Sequence, residues 1–68
     1  MPERDEIYRR YAALRDDKGL SDYRVCKETG VALSDISHWK SGDYLPKVDK
    51  MLKIADFFGV HLEYFYRV

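Results

Sequence analysis

The stretch GVALSDISHWKSG, residues 30–42, constrains the fold more than any other. Glycine suits the left-handed conformation that ends a helix and weakens a helix interior, so Gly30 and Gly42 leave room between them for one helix of about two turns. With about 100° per residue, Leu33 and Trp39 lie about 60° to either side of Ile36, while Ser34, Ser37, His38 and Ser41 gather on the far side. So short a helix is marginal in water by itself. Ile36 and Trp39 must therefore anchor it to neighbours, which leaves the serines and the histidine outward.

The neighbours follow from the same spacing. Ile7, Tyr11 and Leu14 recur at helical intervals and predict an amphipathic helix from Glu3 to Lys18, ended by Gly19, with Arg9, Arg10, Asp16 and Asp17 off the stripe. Pro2 ahead of Glu3, Asp5 and Glu6 suits its start, where carboxylates meet the positive end of the helix dipole. Ser21 is placed to cap a second helix over Asp22–Thr29, closed by Gly30, with Val25 and Cys26 packed inward. GDYLPK reads as a loop directed by Pro46, and a fourth helix starts near Val48. On it Val48, Met51, Leu52, Ala55 and Phe58 line an apolar face as far as Gly59. HLEYFYRV reads as one short helix or turn. The expected architecture is all-α, a compact four- to five-helix bundle in a single domain over residues 1–68. Its core is Val25, Cys26, Val31, Ile36, Leu45, Val48, Leu52, Ala55 and Phe58, joined by Trp39.

Twelve basic residues balance twelve acidic ones, so overall charge supplies no argument for a polyanionic partner. One cysteine excludes an internal disulfide, and Cys26, His38 and His61 do not form a metal-ligand cluster; no metal site and no cofactor are expected. No nucleophile stands at suggestive spacing from a base, and no glycine-rich phosphate loop occurs, so an enzyme is not expected. No apolar run approaches the roughly 18 residues of a membrane span, and MPERDEIYRR has no signal-peptide core. A cytoplasmic protein without membrane contact is the expectation.

A helix, a glycine-containing turn and a second helix over about residues 22–40 form a helix-turn-helix pattern. The longer stretch GLSDYRVCKETGVALSDISHWKSGDYLPKVDKMLKIADFFGV resembles the Cro and cI-type phage repressor family, the lambda-repressor-like (XRE) helix-turn-helix domains. The likeness rests on LS ahead of the second helix, Cys26, Gly30, Val31, Ile36, WKSG at 39–42, Pro46 and MLKIADFFGV, in order and at matching intervals. It implies a five-helix bundle and a DNA-binding transcription regulator of phage or prophage repressor type. Such a regulator is usually a homodimer on a palindromic operator in double-stranded DNA, and no small-molecule ligand is implied.

The resemblance assigns base contacts to Leu33, Ser34 and His38, with Ser37 beside them. Serine hydroxyls suit any base edge, and a histidine can donate to guanine N7 or O6. Leu33 either touches a thymine methyl or closes the core at the helix start. Phosphate contacts are assigned to Tyr23, Arg24, Lys27, Lys40, Ser41, Tyr44 and Lys47, each of which is otherwise an ordinary solvated surface residue. Tyr64, Phe65, Tyr66 and Val68 either cover the first helix or form a self-complementary dimer interface.

Three residues depart from the family pattern. Asp22 stands where glutamine is common and is expected to repel phosphate, and Asp35 adds a negative charge to the recognition helix; both suit the positive end of a helix dipole, and both are expected to lower DNA affinity. Ala32 replaces a capping Ser or Thr at a cost of about 1 kcal/mol, unless Ser34 caps a later start and so loses its hydroxyl to the backbone. With the neutral overall charge, these acids also suit a second use of the scaffold, a protein-interaction module such as an antitoxin or antirepressor.

Overall fold

Helix boundaries in the computed structural model, which describes residues 3–67, follow the capping chemistry. The order is α1 (Arg4–Asp17), α2 (Asp22–Thr29), α3 (Leu33–Lys40), α4 (Val48–Phe58) and α5 (Glu63–Tyr66), with no strand among the described residues. Asp5 and Glu6 occupy the first turn of α1. Pro2, assigned to that start from the sequence, lies outside the described residues. The Ser21 side chain accepts the Arg24 N–H at 3.1 Å and opens α2. Gly30 closes it at φ +80°, its N–H donating to the Cys26 carbonyl at 2.8 Å. A Cβ at Gly30 would meet nothing within 4 Å, so the glycine serves the backbone angle and not the space around it.

The core draws on every helix: Ile7 and Tyr11 of α1, Val25 and Cys26 of α2, Ile36 and Trp39 of α3, Met51, Ile54, Ala55 and Phe58 of α4, and Phe65 of α5, with Val31 from the turn. Trp39 is the largest of these fully buried side chains. Tyr8 meets its ring edge-on with centroids 5.2 Å apart, and Tyr11 lies 5.1 Å away on α1. This aromatic group locks the short α3 to the longest helix of the bundle. Its geometry carries a cost, because Trp39 Nε1 is buried with no hydrogen-bond partner among the described residues. An orphaned donor of that kind costs about 1–3 kcal/mol, which the packing of the indole must exceed.

On α4 the expected apolar face is wider than the face that is buried. Val48 and Leu52, assigned to the core, are 59% and 46% exposed. The helix turns Met51, Ile54, Ala55 and Phe58 inward, and Val48 and Leu52 fall at the rim of that stripe. Ile54, absent from the expected core, is fully buried. It lies three residues after Met51 and four before Phe58, spacing that marks it as part of the same stripe. Leu45 is only partly buried.

At the C-terminal end, Arg10 donates to the carbonyls of Tyr64 at 3.3 Å and Phe65 at 3.2 Å while pairing with Glu6. These bonds satisfy carbonyls that so short a helix leaves open and tie α5 to α1. Phe65 is fully buried there, which corrects its assignment to a dimer surface: its ring is spent on the core of its own chain. Tyr64 and Tyr66 are partly buried against that core, and Val68 lies outside the described residues.

Trp39→Ala is expected to cost about 3–5 kcal/mol, enough to abolish cooperative melting in a domain of this size. Trp39→Phe should cost well under half as much, since it keeps a ring while removing the orphaned donor. Thermal denaturation followed by circular dichroism measures both, and equal losses would show that ring packing is not what holds α3.

Candidate nucleic-acid interface

The two sides of α3 separate cleanly. Asp35, Ile36 and Trp39 are buried, while Leu33, Ser34, Ser37 and His38 are exposed together. Leu33 is 46% exposed, so it does not close the core at the helix start. The helix starts at Leu33 with Ala32 as an N-cap that makes no side-chain bond. Ser34 therefore does not cap a later start, and its hydroxyl is not consumed by the backbone.

Both acidic departures turn inward. Asp35 is 8% exposed, accepts the Tyr44 hydroxyl at 2.9 Å and is ion-paired with Lys50 of α4. The hydrogen bond from Lys50, then that from Tyr44, hold its carboxyl below the usual carboxylate range despite desolvation. Asp22 accepts the Tyr11 hydroxyl at 2.7 Å and an Arg15 N–H at 2.8 Å. Burial first, then the bond to Asp22, push the Tyr11 phenol up. The two carboxylates thus pin α3 to α4 and α2 to α1, and their charge is met inside the protein.

These pairings re-sort the expected phosphate contacts. The only O–H of Tyr44 is donated to Asp35, so it is not free for a phosphate, which can only accept; this corrects its assignment. Arg24 gives its Nε to Glu28 at 2.9 Å and keeps its other N–H groups. Lys27, Lys40, Ser41 and Lys47 are exposed and make no side-chain bond among the described residues. Tyr23 is exposed on the first turn of α2. Lys47 is also the N-cap of α4, where no side chain takes up the first backbone N–H groups.

Asp43, a neighbour of His38, is not among the residues assigned from the sequence. His38 Nδ1 lies 2.8 Å from Asp43 Oδ2, and the imidazole stacks on the Tyr44 ring at 5.2 Å and 25°. The signal was local. Beyond α3 the chain passes through Gly42 at φ +83°, its N–H donating to the Trp39 carbonyl at 3.0 Å, while the Asp43 N–H donates to the His38 carbonyl at 2.9 Å. That double bond pattern is a Schellman motif, which returns the residue after the glycine to the helix's last turn.

Comparison with known proteins yields one match: a family model described as helix-turn-helix fits residues 12–65, well over half of the chain. No individual curated protein and no solved structure matches it.

The depressed Asp35 pKa has a definite sign. Its contribution is full above the unfolded value of about 4 and is lost as pH falls through the lower folded value. Asp35→Asn should lower the urea midpoint at neutral pH, and the gap to the parent protein should close as the pH falls below about 4. A gap unchanged down to about pH 2 would mean that another group carries the linkage.

Proposed function

The chain belongs to the lambda-repressor-like helix-turn-helix family of DNA-binding regulators, and on that premise we propose that it is a sequence-specific repressor of phage type, reading an operator in double-stranded DNA with α3. The carrying observation is the free face of α3: Leu33, Ser34, Ser37 and His38 stand exposed side by side while Asp35, Ile36 and Trp39 hold the opposite face. A helix of about 10–12 Å diameter fits a major groove about 12 Å wide. In it the serine hydroxyls and the imidazole meet base edges, and Leu33 meets a thymine methyl.

Lys27, Lys40, Ser41, Lys47, Tyr23 and the unpaired N–H groups of Arg24 supply the phosphate contacts. The chain's formal charge is zero, so attraction to DNA rests on this local set and not on the field of the whole molecule. Use of the scaffold as an antitoxin or antirepressor drew its support from the neutral overall charge together with Asp22 and Asp35 as presented charges. Both acids are consumed by Tyr11, Arg15, Tyr44 and Lys50, which removes their part of that support.

The operator is a palindrome bound by a homodimer, two copies of α3 entering successive major grooves about 34 Å apart. Tyr64 and Tyr66, at the C-terminal edge, are the residues assigned to the contact between copies. Occupancy of a promoter then represses it without catalysis.

Selection from a random duplex pool should recover a palindrome, bound with a log–log salt slope of about 0.9 per neutralised phosphate. Ser34→Ala and His38→Ala should each relax one position of that site by about 1–3 kcal/mol while leaving the melting transition in place. Recovery of no preferred sequence overturns the proposal.

A further inference from the structure

We propose that Asp43 and Tyr44 make His38 a base reader whose preference changes with pH. Neutral His38 accepts a hydrogen bond at Nε2 from adenine N6 or cytosine N4; protonated His38 donates from Nε2 to guanine. This rests on α3 being the DNA-reading helix and adds the rule by which one of its side chains reads.

The Schellman motif places Asp43 beside His38 by backbone bonds alone, and the 2.8 Å contact between Nδ1 and the carboxylate follows from that placement. An ionised carboxylate can only accept, so the proton of the neutral imidazole sits on Nδ1 and Nε2 carries the lone pair. The ring plane is fixed as well. Tyr44 stacks on it at 25°, and Tyr44 is itself held by its hydroxyl bond to the buried Asp35. Nε2 makes no bond among the described residues, and half of the side chain is exposed.

The groups facing His38 come from four directions. Asp43 bonds Nδ1, and Asp35 lies on the same helix. Lys50 of α4 and the Tyr44 hydroxyl meet Asp35, and Arg4 of α1 donates to the Asp43 carbonyl at 3.1 Å. With Asp35 already matched by Lys50, Asp43 is the carboxylate directly bonded to the imidazole, whether the ring is neutral or charged.

In the major groove, guanine presents only acceptors, N7 and O6, and thymine presents O4 and a methyl group. A lone pair at Nε2 therefore rejects both and fits the amino groups of adenine or cytosine. Taking up one proton reverses the match. Binding to a guanine-bearing site is then linked to the uptake of one proton per half-site. Binding to the adenine- or cytosine-bearing site carries no such uptake.

The test is selection from a random duplex pool at about pH 8 and about pH 5.5, with the parent chain, Asp43→Asn and His38→Ala. Asp43 is exposed, so the variants are expected to fold, and their melting curves check it. The parent should favour adenine or cytosine at one position of each half-site at the higher pH and shift towards guanine at the lower. Asp43→Asn should lose discrimination at that position alone at the higher pH, because an amide can either accept from Nδ1–H or donate to Nδ1 and so frees both tautomers. His38→Ala should abolish the shift. A recovered site with the same base at both pH values, or a shift that survives His38→Ala, overturns the tautomer rule and leaves the operator reading standing. Failure to recover any site overturns both.

Discussion

The insertion of Trp39 against Tyr8 and Tyr11 is the contact on which the rest of the molecule depends. An eight-residue helix has too few internal hydrogen bonds to persist alone, so α3 exists as a helix because its inner side is packed. The same packing sets its rotation. With Ile36 and Trp39 inward, the 3.6-residue period leaves Ser34, Ser37 and His38 outward, and the exposed face of α3 is a by-product of how the core is filled. The uncompensated indole N–H shows how far ring packing outweighs polar satisfaction at this point.

Electrostatics then does work that overall charge conceals. A formal charge of zero looks ill suited to a polyanion, yet several acids are matched close to home. Asp35 meets Lys50 and Tyr44, Asp22 meets Arg15 and Tyr11, and Glu28 meets Arg24. What remains includes Lys27, Lys40 and Lys47, whose side chains make no bond among the described residues. A surface can therefore be locally cationic in a neutral chain, provided that its acids serve as struts between helices.

Much of the fold was legible because its signals are local. Ser21 as a cap, Gly30 as a left-handed stop and the heavy spacing of Ile7, Tyr11, Ile36 and Trp39 each act within one or two turns. Burial on α4 was misread at Val48 and Leu52 because an apolar stripe tells what a helix can bury, whereas the width actually covered depends on how much chain is available to cover it. The inward turn of Asp22 and Asp35 was not legible for a related reason. Their partners lie on other elements, Tyr11 and Arg15 on α1, Tyr44 in the loop after α3 and Lys50 on α4, and Lys50 is 15 residues from Asp35. The outward face of α3 was readable from the period alone. The bond between His38 and Asp43 was readable in principle, since a glycine-ended helix returns the following residue to its last turn.

Trp39 is the one tryptophan of the chain, and it is enclosed by two tyrosine rings. Its fluorescence therefore comes from the inner side of α3 itself, sheltered from water and within range of energy transfer from its tyrosine neighbours. Loosening of α3 would shift that emission to the red without any attached dye. The residue that holds the helix in place thus doubles as an optical gauge of whether the helix is seated, read from the side opposite its exposed face.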